Sequence, residues 1–254
     1  MGLFDKKYCD VCGEKIGLFG NKKLEDANLC KNCEKKLSPW FTGRRHTSLE
    51  EIKEQLAYRE ENLQEVKNFH TTQVLGKRTR VILDEDAGKF MVTSSHNLEE
   101  ANPDVLSFSQ VTGVDISVDE NRSELYRKDS EGKNVSYNPP RYEYTYRFQA
   151  LIRVNHPYFD EMKFPLNDSS IEITPPYTGG PDSRLPHPEM NVEYQEYKEL
   201  GQEIKEALLG NKKAMKEAEA ASNAPKKTVE CPFCHAATIP DANGCCEYCG
   251  SVIQ

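Results

Sequence analysis

Eight of the nine cysteines fall into four Cys-x-x-Cys pairs: Cys9 with Cys12 and Cys30 with Cys33 near the start, Cys231 with Cys234 and Cys246 with Cys249 near the end. Seventeen residues separate the first two pairs and eleven separate the last two. A Cys-x-x-Cys turn presents two sulfurs to one ion, and two such turns give the four thiolates of a tetrahedral zinc site. The spacing therefore predicts two Zn2+ ions, one at each end. Four sulfurs leave no coordination position for water, so both sites are expected to be structural. Cys245, the ninth cysteine, adjoins Cys246 and is left outside the ligand set because using it would break the two-residue spacing. His235 follows Cys234 where the other well-formed knuckles have Gly, and it reads as a surface residue rather than a ligand.

No residue is assigned a catalytic role. His-Glu-x-x-His, a Gly-rich phosphate loop ending in Gly-Lys-Ser/Thr, and Gly-x-Ser-x-Gly are all absent from the sequence. His96-Asn-Leu-Glu followed by a later Cys-x-x-Cys lacks the spacing and the proline of a zinc deaminase. Cys231-Pro-Phe-Cys234 lacks the βαβ setting of a thioredoxin-like dithiol. The run Asn155 to Glu161 reads as a strand terminator, because Pro157 cannot donate to a ladder. A non-enzymatic protein with no bound organic cofactor is expected.

Net charge is -8 over 254 residues, which disfavours broad electrostatic binding of nucleic acid. The first 46 residues run the other way, with ten Lys or Arg against six Asp or Glu, a formal +4 that one Zn2+ and four thiolates reduce to +2. The opening lacks the apolar run and cleavage site of a secretory signal, and Lys6 breaks a myristoylation motif, so a reducing, cytoplasmic compartment is expected. No apolar run is long enough to predict a membrane-spanning helix.

The elements that must carry the metal sites follow from periodicity. Residues 1–46 predict a zinc ribbon with Ile16, Leu18, Phe19, Leu24 and Leu29 as its small core and a hairpin turn around Gly17, Gly20 and Asn21. Such a core is too small to fold without the metal. Ser48-Leu-Glu-Glu51 is a capping box opening a connecting helix over 47–69, with Leu49, Ile52, Leu56, Leu63, Val66 and Phe69 as its apolar stripe.

Residues 70–215 are expected to form the next domain, with the pattern changing to alternation from residue 70 to about 174. A hairpin is predicted from Thr79–Asp84 and Lys89–Thr93, then strands at Val105–Phe108, Val111–Val118 and Glu124–Arg127. A long antiparallel strand over Tyr142–Val154 buries one side, and strands at Met162–Leu166 and Ile171–Thr174 follow. After a Pro- and Gly-rich loop, Val192, Tyr194, Tyr197, Leu200, Ile204 and Leu208 form the stripe of a capping helix. Residues 216–229 read as a linker and 230–254 as a second zinc ribbon.

Several resemblances can be placed on these residues. Strands meandering into one long helix resemble a pleckstrin-homology-like barrel plugged at its open end, giving an α+β class. Such barrels commonly bind peptides or lipid headgroups, and Lys77, Arg78 and Arg80 stand where lipid-binding members carry basic residues. The opening Tyr8-Cys-Asp-Val-Cys-Gly-Glu-Lys-Ile-Gly-Leu-Phe-Gly20, with Lys23-Leu-Glu-Asp, Cys30-Lys-Asn-Cys33 and Lys36-Leu-Ser-Pro, resembles the bacterial zinc-ribbon family catalogued as domain of unknown function 4428. That resemblance implies a bacterial cytoplasmic protein with a structural zinc site and brings no activity with it. The tail resembles the generic zinc ribbon appended to many bacterial proteins.

The expectation from sequence is a non-enzymatic, zinc-binding adaptor whose partner is a protein. The alternatives are a nucleic-acid-binding regulator working through the basic ribbon with Arg44 and Arg45, and an envelope-stress protein meeting membrane lipid through the barrel.

Overall fold

The computed structural model describes residues 7–223, 228–241 and 244–253. It divides into two compact units, Met1–Lys213 and Ala214–Gln254. The opening hexapeptide, on which the signal and myristoylation readings rest, lies outside the described residues.

The first unit begins with a ribbon in which β1 (Lys22–Lys23) pairs antiparallel with β2 (Asn28–Leu29), followed by the short helix α1 (Lys31–Glu34). The hairpin turn thus lies at residues 24–27, not at Gly17–Asn21. Leu24 and Leu29 are drawn into the ribbon core with Ile16, Leu37 and three of the cysteines. Leu18 and Phe19, expected in that core, stand 82% and 94% exposed.

Helix α2 (Leu49–Asn68) starts at the expected capping box: the Glu51 N–H donates to the Ser48 hydroxyl, and the Ser48 N–H donates to the Glu51 carboxylate. Its buried positions are Ile52, Gln55, Arg59, Asn62 and Val66. The spacing is the helical one, but three of the five side chains are polar, so the buried face is offset from the apolar stripe. Ile52, Leu49 and Leu56 close the ribbon core. Further along, Arg59 donates to Asp104 Oδ1 at 2.7 Å and to the Lys36 carbonyl at 3.2 Å. Asp104, fully buried, also accepts from Ser38 Oγ at 2.8 Å and from the Tyr58 hydroxyl at 3.2 Å. Asn62 donates to the Pro103 carbonyl and accepts from the Val105 N–H. This network clamps the end of the ribbon, α2 and the loop after α3 (Leu98–Ala101) to one another.

Two four-stranded antiparallel sheets follow. The first has the order β3 (Gln73–Leu75), β4 (Arg80–Asp84), β5 (Lys89–Thr93), β6 (Leu106–Ser107). Its β4–β5 hairpin is the predicted one, and Val81, Ile82 and Leu83 are buried on both faces. The second is built on β7 (Val111–Lys128) and β8 (Asn134–Val154), with β9 (Glu161–Pro165) and β10 (Ile171–Ile173) both pairing with β8. The two ladders are not joined by hydrogen bonds among the described residues, so the expected closed barrel does not form.

The second sheet is larger than its sequence implied. The two fragments expected at Val111–Val118 and Glu124–Arg127 are one strand of 18 residues, and β8 runs for 21. Alternation failed to reveal Asn134–Arg141 as strand because Tyr137 to Pro140 are extra residues on β8, absorbed where the register jumps between Leu125 and Tyr126. From Tyr146 to Val154 the alternation behaves as expected: Tyr146, Phe148, Ala150, Ile152 and Val154 are buried.

Helix α4 (Val192–Asn223) lays Tyr194, Tyr197, Ile204 and Leu208 into the core. Tyr194 packs edge-on against Tyr146 and Phe148. Gly201 lets the helix approach β7, since a Cβ there would sit 2.8 Å from an Ile116 methyl. The helix continues through 216–223, which the sequence reading had placed in the linker, and residues 224–227 lie outside the described residues. In the second unit, β11 (Val229–Glu230) pairs with β12 (Ala237–Thr238).

The buried ion pair yields a stability prediction. Asp104→Leu leaves Arg59 charged and buried without its partner, and urea unfolding is expected to show a loss of about 3–5 kcal/mol. Replacing both residues, as R59M/D104L, is expected to lose less than D104L alone. Equal losses would show that the pair is not the clamp.

Candidate metal centres

The four sulfurs of Cys9, Cys12, Cys30 and Cys33 lie within 4.8 Å of one another, as do those of Cys231, Cys234, Cys246 and Cys249. Zinc at about 2.3 Å from each sulfur requires tetrahedral S···S separations of about 3.8 Å. Three sulfur–sulfur contacts match: 3.7 Å for Cys12–Cys30, 3.6 Å for Cys231–Cys249 and 3.6 Å for Cys234–Cys246. All eight predicted ligands are therefore brought together in the predicted sets of four. Cys245 is in neither cluster; its N–H donates to Asp241 Oδ1.

Three of the four pairs share one local design. The residue after the second cysteine takes a left-handed conformation and returns its N–H to the carbonyl of the first cysteine. Gly13 does so with Cys9 at 2.8 Å, Gly250 with Cys246 at 2.8 Å and His235 with Cys231 at 2.9 Å. The Cys30–Cys33 pair is built differently, on the amino end of α1. Cys30 caps that helix, and the Cys33 N–H donates to Cys30 Sγ at 3.4 Å.

Backbone donors prepare the sulfurs for a cation. The Cys30 N–H points at Cys9 Sγ at 3.3 Å. Burial alone would raise the Cys9 thiol, yet the N–H groups of Cys12, Cys30 and Val11 bring it down to about 7. Cys33 is pushed the other way by burial and by the three sulfurs around it. In the carboxy-terminal cluster the Ser251 hydroxyl and N–H hold Cys249 at about 6, whereas Cys234 is pushed up to about 12. The Ala236 N–H favours the Cys234 thiolate, but desolvation and the neighbouring thiols outweigh it. In each cluster hydrogen-bond donors let one sulfur ionise readily, while burial and repulsion from the neighbouring sulfurs make another resist. A dication removes that repulsion, and because it binds thiolates its affinity falls as pH drops.

Both donor sets are closed, all-sulfur and tetrahedral in spacing, so they fit structural zinc. Cys9, Cys30, Cys33, Cys231 and Cys246 are buried, while Cys12, Cys234 and Cys249 are exposed.

A third grouping, His70 with Asp84 and Asp86, escaped the sequence reading because its members are 14 and 2 residues apart on a hairpin. Asp84 is already engaged, accepting from the His70 N–H and the Ala87 N–H at 2.9 Å each, and so it pins the β4–β5 turn.

The basic residues are dispersed. Arg44 donates to the Lys23 carbonyl at 2.6 Å and meets Glu34 at 3.1 Å, while Lys22 meets the same Glu34 at 2.8 Å. Arg45 and His46 are exposed. Lys77 pairs with Glu196 at 3.3 Å and lies over the Tyr197 ring, and Arg80 donates to the Ser95 carbonyl. Among the described residues no helix is long and apolar enough to cross a membrane.

His235 pays a conformational penalty that Gly13 and Gly250 avoid, with φ of 56°. A left-handed non-glycine residue costs about 1–2 kcal/mol, and the exposed contact of His235 with Glu230 returns little. His235→Gly is thus expected to stabilise the carboxy-terminal cluster by about 1 kcal/mol, read as slower zinc loss to a chelator. Faster loss would mean that the imidazole contributes to the site.

Residues 7–55 match the family model described as Domain of unknown function (DUF4428). The match spans Cys9 to Cys33 and runs into the start of α2. No curated protein and no solved structure matches the chain.

Proposed function

We propose that this protein is a non-enzymatic zinc-binding adaptor in which the amino-terminal ribbon is the recognition head and the two sheets with α4 are its platform. The observation that carries the reading is the four-sulfur closure of both clusters, which leaves a bound zinc no position for water or substrate. Two surface features support a protein partner. Leu18 and Phe19, adjacent in the chain, are both exposed on the ribbon. Beside the ribbon lies an open cleft of about 700 Å³, lined by Leu37, Ser38, Phe41, Arg44, Arg45 and His46. A bacterial, cytoplasmic setting and a pleckstrin-homology-like ancestry for the paired sheets and capping helix belong to this same proposal. The 4-plus-4 strand grouping followed by one long helix supports the latter.

The nucleic-acid reading rests on the same ribbon through Arg45 and His46, which face solvent. It is weakened by Glu34, which neutralises two of the ribbon's cations. The lipid reading is weaker still, because Lys77 and Arg80 are occupied within the chain.

The test is affinity capture from the native cell with the zinc-loaded full chain, run in parallel with L18S/F19S. The expected result is a defined protein retained by the wild type and lost with the variant. Recovery of nucleic acid that salt releases, or flotation with anionic liposomes, would overturn the adaptor reading.

A further inference from the structure

β7 is the outer strand of its sheet. β8 pairs along one edge of it, and among the described residues no strand pairs with the other edge. From Val118 to Lys128 the strand is exposed or half-buried. Over that stretch no backbone group of β7 bonds outside the β7–β8 ladder among the described residues. α4 lies against a face of this sheet, with Gly201 at Ile116 and Tyr194 on Tyr146 and Phe148 of β8. The extra residues of the ribbon, Tyr137 to Pro140, lie on β8, so the outer edge of β7 stays regular. A long unpaired edge is a template for another strand, and proteins usually guard it with charge that repels a copy. The charges on this edge have the opposite effect.

We propose that β7 pairs antiparallel with β7 of a second copy of this chain, about a two-fold axis at Ser123. A two-fold axis normal to the sheet keeps both copies the same way up, so facing residues are equidistant from the axis. About Ser123, Asp119 faces Arg127 and Arg122, which lies over the Tyr142 ring, faces Glu124, which also accepts from the Tyr126 and Ser136 hydroxyls, each twice by symmetry. The same operation sets Glu120 against Tyr126, and Val118, 38% exposed, against the aliphatic stem of Lys128. No like charges meet.

Neighbouring registers are poorer. An axis at Arg122 or Glu124 opposes that charge to itself, and one at Leu125 opposes Arg122 to Lys128. An axis at Asn121 carries the pairing back to Asp115 and Ile116, where Arg153 holds Asp115 at 2.5 Å and Gly201 of α4 lies close against Ile116. Cross-strand pairs of opposite charge stabilise and like charges directly opposite destabilise, so the charge pattern selects the register centred on Ser123.

Sedimentation equilibrium of the zinc-loaded full chain tests this, with D119R and R127D measured separately, mixed in equal amounts, and combined in one chain. The wild type is expected to be a dimer. In each single variant like charges face one another twice, and the dissociation constant is expected to rise on the order of 10- to 100-fold. The mixture restores opposite signs in a heterodimer and the double variant restores them in a homodimer, so both are expected to regain association even if a single variant is poorly folded alone. A monomeric wild type, as would follow if the edge instead takes a strand from a different protein, overturns the proposal. So does unchanged dimerisation of the single variants, or failure of both the mixture and the double variant to associate.

Discussion

Four sulfur atoms crowded within 4.8 Å of one another, twice in one chain, are the constraint on which the rest of the structure depends. Four thiolates at that spacing repel one another, and in each cluster donors favour one ionised sulfur while burial and the neighbouring sulfurs hold another protonated. A divalent ion turns this arrangement from the least stable part of each ribbon into its staple. The ribbon core has few other resources: with Leu18 and Phe19 turned outward, Ile16, Leu24, Leu29 and Leu37 remain, helped by Ile52 from α2. Burying a handful of aliphatic side chains yields only a few times about 1.5–3 kcal/mol, and ordering the backbone around them costs a comparable amount. Metal binding is therefore expected to decide whether the ribbon folds.

The second constraint is Asp104, which has no water to solvate it and depends on Arg59, Ser38 and Tyr58. Three segments far apart in the chain converge on this carboxylate. The amino-terminal ribbon is thereby held on α2 and the loop before β6 rather than on a flexible tether. If the ribbon is a recognition head, its orientation on the platform is set by this buried charge pair together with the packing of Leu49, Ile52 and Leu56 against the ribbon core.

How much of this was legible in the sequence depends on the kind of signal. The two four-cysteine clusters were legible in full, because Cys-x-x-Cys spacing encodes local turn geometry and needs no tertiary information. The capping box, the β4–β5 hairpin and the buried face of β8 were legible for the same reason. Polar residues at buried positions were not: Gln55, Arg59 and Asn62 look like the solvent side of α2 until the loop at 102–105 supplies their partners. The length of the β7–β8 ribbon was hidden by Tyr137 to Pro140, where prolines read as a break although a bulge on one strand accommodates them. Barrel closure depends on hydrogen bonds between strands distant in sequence, and no local pattern reports these. The exposure of Leu18 and Phe19 was likewise beyond hydropathy, which assigns any apolar pair to a core.

The central claim is that both metal sites are closed by four sulfurs. X-ray absorption at the zinc edge on the full chain, with metal content measured on the same sample, tests it most directly. Two zinc ions per chain and a first shell of four sulfurs at about 2.3 Å, with no lighter scatterer, is the predicted result. One zinc per chain, or a nitrogen or oxygen in the first shell, would contradict it and reopen a site for chemistry.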